Sequence, residues 1–309
     1  MGLFASLKPR GPSGFGASST AEEVTRGLDL AGKTFLLTGC NSGIGLETLR
    51  VLGLRGARVL AAARTEDKAR QAIAACGTSA AGAIPLACEL AEPASVRACV
   101  AAVKALGAPL AAIVANAGIM ALPKLEVVHG LELQFLTNHL GHFLLVTELV
   151  DALADDGRVV LVSSSAHRRA PRAGIDFGNL AGEQGYAPFE AYGRSKLANL
   201  LFAKELARRL AGSRRTANAI HPGVIGTNLT RNMGTVVAAI WSVASTALLK
   251  SVPQGAATQC YVACHPDVAG ASGEYFADCN VARPSALALD EALARQLWDE
   301  SERLVAALG

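Results

Sequence analysis

No sign of charge dominates this chain of 309 residues: the formal net charge is +3, and charged residues make up 18%. That balance argues against a nucleic-acid-binding role and against a highly charged tail. Aromatic residues are also scarce, at 5%, and the abundant alanine reads as helix-forming filler. Seven cysteines (Cys40, Cys76, Cys88, Cys99, Cys260, Cys264 and Cys279) form an odd, scattered set. Such a set is no disulfide framework and points to a reducing compartment. Cys260, Cys264 and His265 lack a second ligand pair, and the H-x-x-H of His139 and His142 lacks a following carboxylate. No metal site is expected from either, only buried cysteines and hydrogen-bonding histidines.

Long apolar runs are missing as well. The longest in the second half, Val236 to Leu249, covers about 14 residues, short of the roughly 20 needed to cross a bilayer. It reads as a buried or lid helix, with peripheral membrane contact as the sharper alternative. The opening MGLFASLKPR has neither a long apolar core nor an A-x-A-like exit, which leads us to expect a cytoplasmic protein. Gly2 and Ser6 fit the loose myristoylation pattern.

What is present is a hydrophobic content of 51% and an alternation of strands and helices. Residues 1–30 read as a Gly-, Ser- and Pro-rich flexible arm followed by a short helix capped at Ser19 or Thr20. Apolar strands are expected at 34–38, 58–63, 83–87, 111–115, 158–163, 217–220 and 274–276. Helices fill the gaps, notably over 131–153 and 189–210. Continuously apolar strands imply burial on both faces, and the alternation implies right-handed crossovers. The expected fold is α/β: one doubly wound, Rossmann-type domain over residues 31–309, with helices on both faces of a parallel sheet.

TGCNSGIG follows the first strand and opens the first long helix. Gly39, Gly43 and Gly45 are spaced G-x-x-x-G-x-G, which allows a tight turn and close approach of a pyrophosphate to a helix N-terminus. Arg64 ends the second strand, 19 residues past Gly45, where such folds read the adenosine ribose. A guanidinium there suits a 2′-phosphate and favours NADP(H), although Glu66 and Asp67 follow closely and keep NAD(H) open.

Tyr192 and Lys196 stand at i and i+4, on one helix face. A phenol with a pKa near 10 is a poor base at neutral pH, and a nearby ammonium is expected to lower that value. The pair can then move the proton of a carbinol while a nicotinamide moves hydride. Ser163, Ser164 and Ser165 follow the fifth strand, at the carboxyl edge where open α/β sheets bind ligands. Asn138 is a polar residue on a mostly apolar helix.

TGCNSGIG, ANAGIM, NHLGHFLL, VSSSAH, YGRSK and HPGVIGTNL together resemble the short-chain dehydrogenase/reductase family, and more narrowly its retinol-dehydrogenase-like branch. The flanks STAEEVTRGLDLAGKT, LKSVPQGAATQCYVACHP and GASGEYF resemble the plant members associated with a chloroplast inner-envelope translocon, so a plastid or membrane-associated location is the alternative address. The resemblance implies a seven-stranded parallel sheet. It makes Tyr192 the acid/base, Lys196 its partner on the nicotinamide ribose, Ser164 the group that orients the carbonyl, with Ser163 and Ser165 as the fallback choices, and Asn138 the holder of a relay water. It places the cofactor against Gly39, Asn41, Ser42, Gly43, Ile44, Gly45, Arg64, Glu89, Leu90, Asn116, Ala117 and Gly118. Beyond the sixth strand it adds Pro222, Gly223, Val224 and Thr227. Two positions depart from the family pattern: Glu89-Leu90 replaces Asp-Leu, and Ala115 replaces the first Asn of Asn-Asn-Ala-Gly. A lid over about 227–253, with Val236, Val237, Ile240 and Trp241, points to a hydrophobic ketone, aldehyde or alcohol, retinoid-, steroid- or aryl-like. The same apolar face could serve a homo-oligomer contact. The competing expectation is an NADP(H)-sensing accessory subunit of a translocon or another complex.

Overall fold

In the computed structural model, residues 9–225 and 249–309 are described. The sheet is built from β1 (Thr34–Thr38), β2 (Arg58–Ala63), β3 (Ile84–Ala87) and β4 (Leu110–Ala115). A small separate hairpin, β5 (Val127–Val128) with β6 (Leu131–Glu132), comes next, and β7 (Leu153–Val162), β8 (Thr216–His221), β9 (Tyr275–Ala277) and β10 (Asn280–Val281) complete the sheet. Its strand order is β10-β9-β8-β7-β4-β1-β2-β3. From β3 to β9 every pairing is parallel. The direction of winding reverses between β1 and β4, and their carboxyl ends form the crevice in which open sheets bind ligands.

The strand count corrects the expectation of seven. An eighth, β10, pairs antiparallel with β9. It is two residues long, too short to leave a period-2 pattern. Its position comes from the turn Asp278–Cys279, where both residues take positive φ (52° and 62°) and reverse the chain at once.

Side-chain alternation divides the core into two layers. Leu36 of β1 faces one, and Phe35 and Leu37 face the other. The second layer is covered by α1 (Ala21–Val24), α2 (Gly43–Leu54), α3 (Glu66–Cys76) and α7 (Val252–Cys264). The first is covered by α4 (Pro93–Ala105), α5 (residues 133–149), α6 (Pro188–Arg209) and α8 (Glu291–Ala307). In α5, the helical Leu133–Phe135 and Gly141–Leu149 are joined through a π-helical turn, Leu136–Leu140, which holds Asn138. Such turns insert one extra residue and gather at functional sites.

The arm expected to be flexible is seated from residue 9 onward. The Asn280 amide accepts the Ser13 N–H at 3.1 Å and donates to the Phe15 carbonyl at 3.1 Å. The Phe15 ring packs edge-on to Tyr261 and His265, with centroids 5.6 and 5.7 Å apart. Thr20 then caps α1 in a reciprocal capping box with Glu23. Thr227, Val236, Val237, Ile240 and Trp241 lie outside the described residues. A parallel bridge joins Ile225 to Lys250, and Val252 and Pro253, expected at the end of the lid, open α7 instead.

Candidate active site

The turn after β1 brings the loop glycines together. A Cβ at Gly45 would stand 2.0 Å from the Gly39 carbonyl oxygen, so only glycine fits. Ser42 takes the N-cap position of α2 but makes no side-chain cap, and the first turn carries no acid. The leading N–H groups of α2 therefore keep their donors for an anion. Asn41 and Ser42 are exposed there, while Gly45 is buried. Ile44 packs beside Gly255 of α7.

Thr38 connects this loop to β4. Its hydroxyl accepts the N–H groups of Asn116 and Ala117, both at 3.0 Å. The Asn116 amide donates to the Thr38 carbonyl at 2.8 Å. Its Oδ1 is buried and accepts nothing among the described residues. On the far side of Thr38, His142 Nε2 lies 2.9 Å from the hydroxyl, and His142 Nδ1 lies 3.0 Å from the Asn138 carbonyl. A carbonyl only accepts, so the Nδ1 proton belongs to that bond and Thr38 donates to Nε2. Burial pushes the imidazole down to about 4, which keeps it neutral.

Asn138 itself is clamped. Its Oδ1 accepts the Ile119 N–H at 2.8 Å, and its Nδ2 donates to the Ile119 carbonyl and to Ser195 Oγ, both at 2.9 Å. A Cβ at Gly118 would meet Asn138 Oδ1 at 3.1 Å and Lys196 Nζ at 3.3 Å, so the chain after β4 runs directly beside the expected proton machinery.

Tyr192 and Lys196 rise from α6 toward the end of β7. Lys196 is buried and donates to the Val162 carbonyl at 2.9 Å, which leaves two N–H donors. Its Nζ lies over the Tyr192 ring, 5.7 Å from the centroid. Of the three serines, Ser163 is engaged by the Lys196 carbonyl at 2.7 Å, and Ser165 uses its backbone N–H on His221. The Ser164 hydroxyl reaches the Tyr192 phenol. Burial pushes that phenol up to about 12, with the Ser164 hydrogen bond opposing it, and holds Lys196 down at about 8. The expectation that the ammonium lowers the phenol is therefore reversed in the free protein. One hydroxyl partner for the phenol and one carbonyl for the ammonium do not offset the desolvation of either group.

Arg64 is exposed at the end of β2, and no ion pair holds it among the described residues. Glu66 and Asp67 belong to the first turn of α3, which Thr65 caps, and Glu66 pairs with Arg70. Glu89 turns its carboxylate back on the Ala91 N–H. Leu90 is in the core, with its carbonyl against Gly141. Pro222 and Gly223 follow β8, and Gly223 lies against the Lys250 side chain, whose ammonium pairs with Asp278 at 2.6 Å. Val224 is exposed and accepts the Lys250 N–H.

Thr38, Ser195 and His142 complete this network without having been singled out as site residues, and Ser163, one of the three serines considered, enters it through Lys196. Their signal was weak: each is a common residue whose partner lies between 33 and 104 positions away. The free α2 donors, the close-packed glycine turn at Gly39 and Gly45, the open Asn116 oxygen and Arg64 all lie along the crevice, a lining that fits a nicotinamide dinucleotide.

Comparisons with known proteins agree. A family profile described as short chain dehydrogenase matches residues 33–237. The chain is 43% identical over 311 aligned residues to the chloroplastic short-chain dehydrogenase TIC 32 B of Brassica napus, covering 96% of each. It is 39% identical to retinol dehydrogenase 14 of Mus musculus, covering 90% of this chain and 87% of that one. Among solved structures, an uncharacterised protein from Mycobacterium paratuberculosis is 34% identical with a TM-score of 0.75, covering 92% of this chain and 97% of that one.

Proposed function

This chain belongs to the short-chain dehydrogenase family and is an oxidoreductase of CH–OH and C=O groups, and on that premise we propose that it moves hydride between NADP(H) and a hydrophobic ketone, aldehyde or alcohol. The observation that carries the proposal is the convergence of Tyr192, Lys196 and Ser164 at the carboxyl edge of β7, beside the loop after β1. A bound nicotinamide supplies the hydride donor or acceptor. Tyr192 gives or takes the proton at its phenolic oxygen, and Ser164 holds the substrate oxygen against it. Lys196 keeps two donors for a ribose hydroxyl and, once its charge is compensated, favours the phenolate. Asn138 fixes the Ile119 backbone. Both of its side-chain donors are taken, so a relay water would have to donate to its Oδ1 or be held by the neighbouring backbone or Lys196.

Arg64 supports NADP(H). Among the described residues no ion pair holds it, whereas Glu66 pairs with Arg70, and both Glu66 and Asp67 lie in the first turn of α3, where acids suit the helix start. The retinol dehydrogenase likeness supports a hydrophobic substrate, as does the apolar composition of the lid. The chloroplastic relative favours a second reading, an NADP(H)-sensing accessory subunit of a translocon, with a plastid as the address. Among the described residues no helix is long and apolar enough to cross a membrane.

Oxidation of NADPH and NADH against retinoid, steroid, aryl and sugar carbonyls tests the proposal. Turnover of the hydrophobic compounds with NADPH is expected. Strong activity on small polar sugars with none on hydrophobic carbonyls sinks the substrate class. No turnover at all, together with NADPH-dependent capture of a protein partner, establishes the second reading.

A further inference from the structure

His167 lies three residues beyond Ser164, in the short turn Ser165–Arg169, and is 1% exposed. Its Nδ1 is 2.6 Å from the Ser164 carbonyl oxygen, and its Nε2 is 3.0 Å from the backbone nitrogen of Ser285. A carbonyl only accepts and an amide N–H only donates. The imidazole is therefore neutral, with its proton on Nδ1. Burial, the largest influence on it, holds the ring below the usual histidine range.

Ser164 is pinned at both of its oxygens. Its carbonyl also accepts the His167 backbone N–H at 3.1 Å, and its hydroxyl accepts the Ala166 N–H at 3.1 Å. A second stitch joins the same turn to the same distant segment: Arg168 donates to the Arg283 carbonyl at 2.6 Å. The Tyr275 ring of β9 closes edge-on against His167, with centroids 5.4 Å apart. A stretch 118 residues downstream thus grips the turn that carries Ser164.

We propose that His167 is a positioning residue for the oxidoreductase reaction, transmitting the placement of segment 283–285 to the Ser164 hydroxyl. This inference rests on the role given to Ser164 above. The imidazole never meets the substrate. It works as a rigid spacer, with one nitrogen anchored on Ser285 and the other holding the Ser164 peptide. Loss of the spacer lets that peptide rotate, and the hydroxyl drifts away from the position shared with Tyr192. Displacements near 1 Å at such a group cost on the order of 100-fold in rate.

Two substitutions separate the halves of the ring. In His167→Asn the amide N–H stands near the Nδ1 position and keeps the Ser164 bond. In His167→Gln the longer side chain brings its amide oxygen toward Ser285 and gives up the Ser164 bond. With NADPH and the best carbonyl substrate, His167→Gln is expected to lose roughly 10- to 100-fold in kcat and His167→Asn less than about 3-fold, with the KM for NADPH within about 2-fold of wild type in both. Thermal stability is expected to fall in both alike. Equal kcat losses in the two variants, or losses that follow Tm, overturn the proposal, because a purely structural histidine gives that result.

Ser285→Pro is the companion variant should the histidine variants not fold. Ser285 already sits at φ −68°, a value proline adopts, but the ring carbon that replaces its N–H stands against Nε2, so the variant removes the anchor and displaces the imidazole together. It is expected to lower kcat by roughly 3- to 10-fold at unchanged KM for NADPH, and an undiminished kcat overturns the proposal. Tyr192→Phe run alongside distinguishes the levels. If that variant keeps turnover, the reading of the site itself has failed. If it is dead while His167→Gln is fully active, only the role of His167 has failed.

Discussion

The ammonium of Lys196 lies over the ring of Tyr192, 5.7 Å from its centroid, and makes its hydrogen bond to the Val162 carbonyl at 2.9 Å. In the free protein the two groups are therefore neighbours without forming an ion pair. The phenol is held up at about 12 and the ammonium down at about 8, both chiefly by burial. The consequence for stability has a definite sign. A lysine whose pKa is lower in the folded than in the unfolded state binds fewer protons when folded, so stability rises with pH between the two values. Unfolding free energy measured from pH 8 to 10.5 should rise in the cofactor-free wild type relative to Lys196→Met, by on the order of 3 kcal/mol across the window. Parallel curves for the two proteins would show that Lys196 is not desolvated as described.

Tyr192→Phe removes the one hydroxyl placed to carry the proton while leaving the ring in its packing. A loss of roughly 100- to 10,000-fold in kcat is expected, with cofactor affinity by fluorescence titration changed by less than about 3-fold. Retained turnover would assign the proton to another group.

Arg64→Ala tests the cofactor. Removing a charge-assisted contact to a 2′-phosphate costs about 1.5–3 kcal/mol, so the KM for NADPH should rise by roughly 10- to 100-fold while that for NADH stays within about 2-fold. Equal changes for the two cofactors would remove Arg64 from the ribose site.

His142 links Thr38 to the Asn138 turn only while neutral. Its folded pKa of about 4 lies below the ordinary 6.5, so its contribution is present above pH 6.5 and is lost as pH falls toward 4. Urea unfolding at pH 7 and pH 5 should differ by about 2 kcal/mol from this residue alone, a difference that shrinks in His142→Gln. An undiminished difference in the variant places the acid sensitivity elsewhere, His139 being the next candidate.

Gly45→Ala forces a methyl against the Gly39 carbonyl, where the available distance is 2.0 Å. The backbone of both turns has to move. Stability should fall by roughly 2–4 kcal/mol, and NADPH binding should weaken even in the protein that remains folded. A variant with wild-type affinity would mean that the loop after β1 does not hold the cofactor.

The fold was readable because its signals are local and repeated. Strands such as Leu110–Ala115 are apolar throughout, and Gly39, Gly43 and Gly45 mark the turn after the first strand. The family resemblance added what spacing alone could not, namely which of three adjacent serines to favour. Other features had no local signal. The π-helical turn at Asn138 lies inside one continuous helical run and has no sequence mark of its extra residue, and β10 is only two residues long. His167 and Ser285 are each unremarkable until the chain brings them together. The seating of the arm was hidden for the same reason, since the composition of residues 9–18 says nothing of the Asn280 amide that receives them.

That seating bears on how the molecule survives at high concentration. An open sheet ends in two rows of unpaired backbone groups, and each is an invitation for another copy to add a strand. Here β3 carries Pro85, which lacks a donor, and β10 stops after two residues with the arm fastened across its first one through Asn280. The sheet is finished at one margin by a residue and at the other by its own beginning, so neither margin offers a template for edge-to-edge growth.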